Sequence, residues 1–119
     1  MSYNSSNIFA RILRGEIACV KIFENDYVLA FKDIHPKAPY HVLVVPKGEY
    51  RNFHDFHANA PAIMIGEFYQ AVRQIIEQSK LNQDGYRLIT NFGENGGQEV
   101  DHYHVHILGG KAIGPLIAS

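Results

Sequence analysis

The sequence predicts an α+β domain in which one long and one short helix accompany a five-stranded, mainly antiparallel sheet. Three observations carry this. Apolar residues recur at helical spacing in two places, around residues 8–13 and 61–80. Runs rich in Val, Ile, Leu, Phe and Tyr recur in five others, and most runs are separated by short clusters of Asn, Asp, Gly or Pro. At 119 residues the chain is expected to form a single domain around one core, and 46% hydrophobic with 19% charged residues is an ordinary globular composition.

Residues 4–7 offer several N-caps, and Ile8, Phe9, Ile12 and Leu13 follow at helical spacing until Gly15 provides a stop. The result is an amphipathic helix of about two turns. Residues 20–24 and 27–32 read as strands, with Asn25-Asp26 a two-residue hairpin signal between them. Asp33 closes the second strand; an exposed loop carboxylate is the plain expectation, although such a group can also accept two hydrogen bonds from a vicinal diol. Pro36 and Pro39 exclude regular structure over residues 34–39. A third strand, residues 40–46, carries His41 among Val42, Leu43, Val44 and Val45, where a lone histidine is ordinarily a hydrogen-bonded core residue. Residues 51–59 read as a loop with solvated His54 and His57, which like His35 match no motif.

Asn59 is placed to cap a helix that starts near Pro61 and runs to about Lys80. Ile65, Phe68, Val72, Ile75 and Ile76 fall on one face, so this helix covers one side of the sheet. Asp84-Gly85 turns the chain into a fourth strand, residues 86–91. A glycine-rich connection, residues 92–99, then leads into the fifth. Glycines let backbone N–H groups approach an anion closely, and this loop stands directly before the chemically richest stretch of the chain.

That stretch is Asp-His-Tyr-His-Val-His-Ile-Leu-Gly-Gly, residues 101–110. It alternates as a strand does, which sends His102, His104 and His106 to one face and Tyr103, Val105 and Ile107 to the other. Imidazole exchanges protons near neutral pH, attacks electrophiles and binds metals. At about 3.3 Å rise per residue, the outer two histidines lie on the order of 13 Å apart, too far to share one tetrahedral ion. A His-X-His pair with a third ligand such as His41 remains a rival reading. The arrangement that uses all three places His104 at the reacting atom with a neighbour on either side.

The run His102-Tyr103-His104-Val105-His106-Ile107-Leu108 resembles the histidine triad of the HIT family of nucleotide hydrolases and transferases. Gly96-Gly97-Gln98-Glu99-Val100 before it and Gly109-Gly110-Lys111 after it are similar to the Hint branch, in its bacterial form, and the likeness extends from Ile8-Phe9 to Gly114-Pro115-Leu116. The resemblance implies a HIT-like fold and hydrolysis of nucleoside 5′-phosphoramidates through a nucleotidyl-histidine intermediate. His104 would be the nucleophile, holding a neutral nitrogen toward phosphorus with its other nitrogen bonded to a carbonyl; a protonated neighbour would favour that neutral state. His102 and His106 would bind phosphoryl oxygens and assist proton delivery, and His41 would orient the triad. Phe9, Ile12 and Ile17 would wall the purine pocket, Asp33 would hold the ribose hydroxyls, and Ile34 and Leu43 would touch the base. Asn91, Gly97 and Glu99 would surround the phosphate. The partners implied are a purine nucleoside monophosphate or phosphoramidate and a second copy of the chain in a homodimer, with the long helix in the interface. No cofactor and no metal is implied.

Two positions depart from the pattern: Glu99 stands where some Hint proteins carry Ser, and Asp101 where a neutral residue is usual. Asp101 alternates away from the imidazole face. The short tail, residues 111–119, is the part whose role transfers least. Net charge is −1 with no basic run, which argues against a nucleic-acid or membrane partner. One cysteine, Cys19, excludes an internal disulfide framework and suits a reducing compartment, so a cytoplasmic location is expected. Two rivals stand beside the phosphoramidase reading: a dinucleoside polyphosphate hydrolase, and a nucleotide- or zinc-binding regulatory module.

Overall fold

The computed structural model describes residues 2–117, so the last two residues of the expected tail lie outside the described residues. Helix α1 spans Ile8–Leu13, and Asn7 caps it by accepting from the Ala10 N–H at 2.9 Å. Strands β1 (Lys21–Glu24), β2 (Val28–Lys32) and β3 (Tyr40–Pro46) follow. The turn between β1 and β2 is longer than the two residues expected. The Asn25 carboxamide accepts from both Tyr27 and Val28 N–H, which holds residues 25–27 outside the ladder.

Helix α2 (Phe53–Asn59) occupies the stretch that reads as loop. Its capping signal is local: Asn52 accepts from the Asp55 N–H at 2.8 Å, while Asp55 reaches back to the Arg51 N–H at 2.9 Å. Asn59 therefore ends a helix and does not cap the next, its amide donating to Asp55 at 2.7 Å. Helix α3 (Ala62–Gln78) instead begins after Pro61, whose missing N–H costs nothing at a helix start. Two further short helices, α4 (Leu81–Asp84) and α5 (Gly93–Gly96), bracket β4 (Tyr86–Ile89), and β5 is Val105–Gly109.

The sheet order is β1-β2-β3-β5-β4, antiparallel at every pairing. Its two faces are unlike. One carries Val28, Ala30, Val42, Val44, Val105 and Ile107 against Phe56 of α2 and Phe68, Val72 and Ile75 of α3, forming the main core. Burial of side chains of this size contributes about 1.5–3 kcal/mol each. The other face carries Leu29, Phe31, Leu43 and Val45 under Phe9 of α1. Because that second cluster is small, it leaves part of the sheet face to the histidines.

At Gly109 the chain passes close under α4: a Cβ there would lie 2.6 Å from a methyl of Leu81, whose side chain would have to shift. No helix among the described residues is long and apolar enough to cross a membrane.

Candidate active site

The register between β3 and β5 builds the site. Leu43 pairs with His106 and His41 with Leu108, so His41 and His106 are diagonal neighbours on the α1 face, with ring centroids 5.1 Å apart. The hydrogen bonds fix their protons. The Lys37 N–H donates to His41 Nδ1 at 3.0 Å, which leaves the proton of the neutral ring on Nε2. That N–H lies 2.9 Å from His106 Nδ1 and 3.4 Å from Asp33 Oδ2. His106 therefore accepts at Nδ1 and presents Nε2–H outward. Burial lowers the pKa of His41, and burial followed by the charges of His104 and His41 brings that of His106 to about 4.

His104 lies just before the β5 ladder. Its carbonyl is held by the Thr90 hydroxyl at 2.9 Å, and its Nδ1 is 2.7 Å from the carbonyl oxygen of His102. A carbonyl only accepts, so Nδ1 carries the proton and Nε2 keeps its lone pair. Burial also pushes this pKa below the ordinary histidine value. The neutral state arises from burial, whereas the sequence suggested a protonated neighbour as the cause. The nearby Asp33 and Glu99 carboxylates in fact oppose it.

His102 departs further from expectation. It is 0% exposed, and both ring nitrogens are bonded: Nε2–H donates to the Pro46 carbonyl at 3.0 Å, and Nδ1 lies 2.5 Å from the Tyr3 hydroxyl. No nitrogen is left to bind a phosphoryl oxygen, so the row of three imidazoles facing a cleft reduces to His104 and His106, 5.1 Å apart. The ladder explains this. Tyr103 N–H bonds Tyr50 O in the loop after β3, and residues 102–104 stand outside β5, which begins at Val105.

The remaining predicted residues fall into two groups. Phe9, Ile12 and Leu43 share the smaller apolar cluster, and Phe9 stands edge-on to His104 at 4.9 Å. Ile17 is partly buried outside that cluster. Ile34 is 79% exposed, an apolar side chain held open on the stiff loop beside Asp33. Asp33 Oδ1 accepts from His35 N–H at 2.8 Å. On the other flank, Asn91 is partly buried, while Gly97 (φ +74°) and Glu99 are exposed.

Sequence reasoning missed Tyr3 and the loop pin Gln98. The Gln98 amide donates to Arg51 O at 2.6 Å and to Val100 O at 3.0 Å, and its oxygen accepts from Gly93 N–H at 3.3 Å. His57, read as solvated, is tied to Phe53 O and to the Tyr69 hydroxyl, which in turn meets Tyr103 at 2.6 Å.

Among the described residues, Asp33, His41 and His106 each bring one ligand atom within 4.8 Å of the others. This is a carboxylate and two imidazoles, and it includes one histidine of the triad where the zinc reading used two. A cavity of about 720 Å³ lies elsewhere, between the end of α3 and the tail. It is lined by Lys80, Arg87 and Lys111 with Asp84 and holds no histidine, so the chemistry points to the triad.

Residues 14–113 match the HIT domain. The chain is 45% identical over 116 residues to an uncharacterized 13.2 kDa HIT-like protein of Azospirillum brasilense, covering 98% of this chain and 95% of the relative. It is 40% identical over 111 residues to the purine nucleoside phosphoramidase of Escherichia coli K12, covering 93% and 92% respectively. A solved histidine triad protein from Clostridium difficile superposes with a TM-score of 0.85 at 39% identity, covering 96% of this chain and 98% of the other. With its five-stranded antiparallel sheet and its triad at the end of the β3–β5 ladder, the chain belongs to the HIT family.

Proposed function

We propose that this HIT protein hydrolyses nucleoside 5′-phosphoramidates, with a preference for purines, through a nucleotidyl intermediate on His104. The observation that carries the reading is the protonation pattern of that ring. Nδ1–H is tied to a backbone carbonyl and burial disfavours a second proton, so Nε2 is a nucleophile without prior deprotonation.

In the first half-reaction Nε2 attacks phosphorus, an N–P bond to His104 forms, and the P–N bond to the amine breaks. The amine leaves with one proton taken up from solvent. In the second half, water attacks the same phosphorus, the His104 N–P bond breaks, and the nucleoside monophosphate departs with one hydrogen of that water while a proton returns to solvent. His106 donates its Nε2–H to a phosphoryl oxygen, held in that tautomer by His41. His102 serves through its carbonyl. Asn91 and the backbone from Gly97 to Glu99 meet the developing charge, as glycine-rich loops do for anions. Phe9, Ile12, Ile17, Ile34 and Leu43 hold the base, and Asp33 the ribose hydroxyls. The curated phosphoramidase at 40% identity supports this substrate class.

A homodimer belongs to the same reading. Strand β4 is a sheet edge with Tyr86 and Leu88 exposed, beside a groove of about 390 Å³ lined also by Val72 and Ile76 of α3. A cytoplasmic location is likewise proposed; Cys19 is a free thiol.

The test is AMP release from adenosine 5′-phosphoramidate in chelator-treated buffer, comparing the native protein with His104→Gly and running diadenosine polyphosphates alongside. Metal-independent turnover lost in the variant supports the reading. Faster cleavage of the dinucleotides would move the assignment to polyphosphate hydrolysis. Equal turnover by both proteins, or none by the folded native one, would leave a binding module.

A further inference from the structure

We propose that Tyr3 is a positioning residue for the nucleophile: its hydroxyl locks the His102 ring, and the His102 peptide in turn aims His104. The proposal rests on His104 as nucleophile and adds a residue from the opposite end of the chain, 99 positions away.

His102 is completely buried, and its Nε2–H is committed to the Pro46 carbonyl. In the neutral ring Nδ1 must then accept. An acceptor buried without a donor is strongly disfavoured. The Tyr3 hydroxyl supplies that donor at 2.5 Å, with its ring edge-on to the imidazole, centroids 5.6 Å apart. The imidazole is thus held at both ends, by Pro46 from β3 and by Tyr3 from the segment before α1.

The lock reaches His104 through the backbone. The carbonyl of residue 102 accepts the His104 Nδ1–H at 2.7 Å, and the next amide, Tyr103 N–H, bonds Tyr50 O at 2.7 Å. With the side chain of His102 fixed and the following N–H engaged, the plane of that peptide has little freedom, and the direction of the His104 ring follows from it. If the Tyr3 hydroxyl is removed, Nδ1 is left to seek water or a proton, and the ring can turn and carry the carbonyl with it.

The segment bearing Tyr3 is itself anchored. Arg14 donates to Ser5 O at 2.7 Å, and Asn7 both bonds Asn4 O and caps α1. Phe9 on α1 then lies edge-on to His102 at 6.5 Å and to His104 at 4.9 Å. One stretch of a few residues therefore closes the far side of His102 and walls the near side of His104.

The test compares native protein with Tyr3→Phe, which keeps the ring and removes the hydroxyl. Two readouts are taken: kcat and KM for adenosine 5′-phosphoramidate, and the ring-nitrogen NMR signals of His102 and His104. The expected result is a kcat about tenfold lower, the size of a single well-placed hydrogen bond, with KM little changed, a shifted His102 Nδ1 signal and a disturbed His104 Nδ1–H. An unchanged His102 Nδ1 signal overturns the lock. A shifted His102 signal with His104 nitrogens and kcat unchanged overturns the positioning role. If the native protein does not turn the substrate over, the proposed function fails separately. Tyr3 is then judged on the His104 nitrogens alone, where no change refutes it.

Discussion

Acidification should destabilise this protein through His102, and the size of the effect can be worked out. Burial, assisted by the charge of His104 and opposed by the hydrogen bond to Pro46, brings its pKa from 6.5 to about 4. At about 1.36 kcal/mol per pKa unit this is a difference of roughly 3 kcal/mol between neutral and acidic conditions. The sign follows from which state binds the proton. Above the unfolded value of 6.5 neither state holds it and the full stability is present. As pH falls from 6.5 toward 4 the unfolded chain takes up a proton that the native state refuses, so stability drops by up to about 1.4 kcal/mol per pH unit. Below the folded value the loss is complete and levels off. Against a typical domain stability of about 5–15 kcal/mol, one side chain accounts for a large share. Urea unfolding of native protein and His102→Gln at a series of pH values would measure it. A buried Gln lowers stability at every pH but does not titrate, and all other groups are common to both proteins. The two curves should converge as pH falls through this window. Parallel curves would refute the assignment of a buried neutral ring.

Three further outcomes concern turnover. Because His104 is proposed to act in its neutral form and burial lowers its pKa, kcat/KM should stay flat through neutral pH and fall only on the acid side of the ordinary histidine range. Glu99→Gln should shift that acid limb lower still, since it removes a carboxylate that favours the protonated ring; a shift to higher pH in the pH–rate profile would contradict the electrostatics. Asp33→Asn should raise KM about ten- to a hundredfold, the worth of hydrogen bonds to a charged acceptor, and the effect should vanish with a 2′,3′-dideoxy substrate. Equal effects on both substrates would remove Asp33 from the ribose.

The strands and the long helix were legible because their patterns are local. The apolar runs in residues 40–46 and 105–109 reflect strands buried on both faces, and the apolar stripe of α3 reflects one face pressed into the main core. Helix α2 was hidden by its shortness and by two histidines that read as solvent-facing, although Asn52 followed by Asp55 three residues later is a capping signal in plain view. The fate of His102 was not legible. Alternation correctly places its side chain opposite Tyr103, but it carries no information on what lies above a strand. Whether an imidazole ends in a cleft or under a tyrosine depends on a segment almost a hundred residues away. The tautomers were equally out of reach. They follow from the Lys37 N–H and the Pro46 carbonyl, backbone groups that leave no mark in the identity of a side chain.

The β3–β5 ladder has an implication for redesign. At the Leu43–His106 pair, the residues proposed to choose the nucleoside, all within the first 43 positions, meet those proposed to act on phosphorus, all within the last third of the chain apart from His41. A library confined to Ile12, Ile17 and Ile34 would vary the edges of the proposed base pocket while leaving every hydrogen bond of the histidines proposed to react in place. Such a chain offers a route to cleavage of other nucleobase conjugates in which preference is altered and the bond-breaking apparatus is inherited intact.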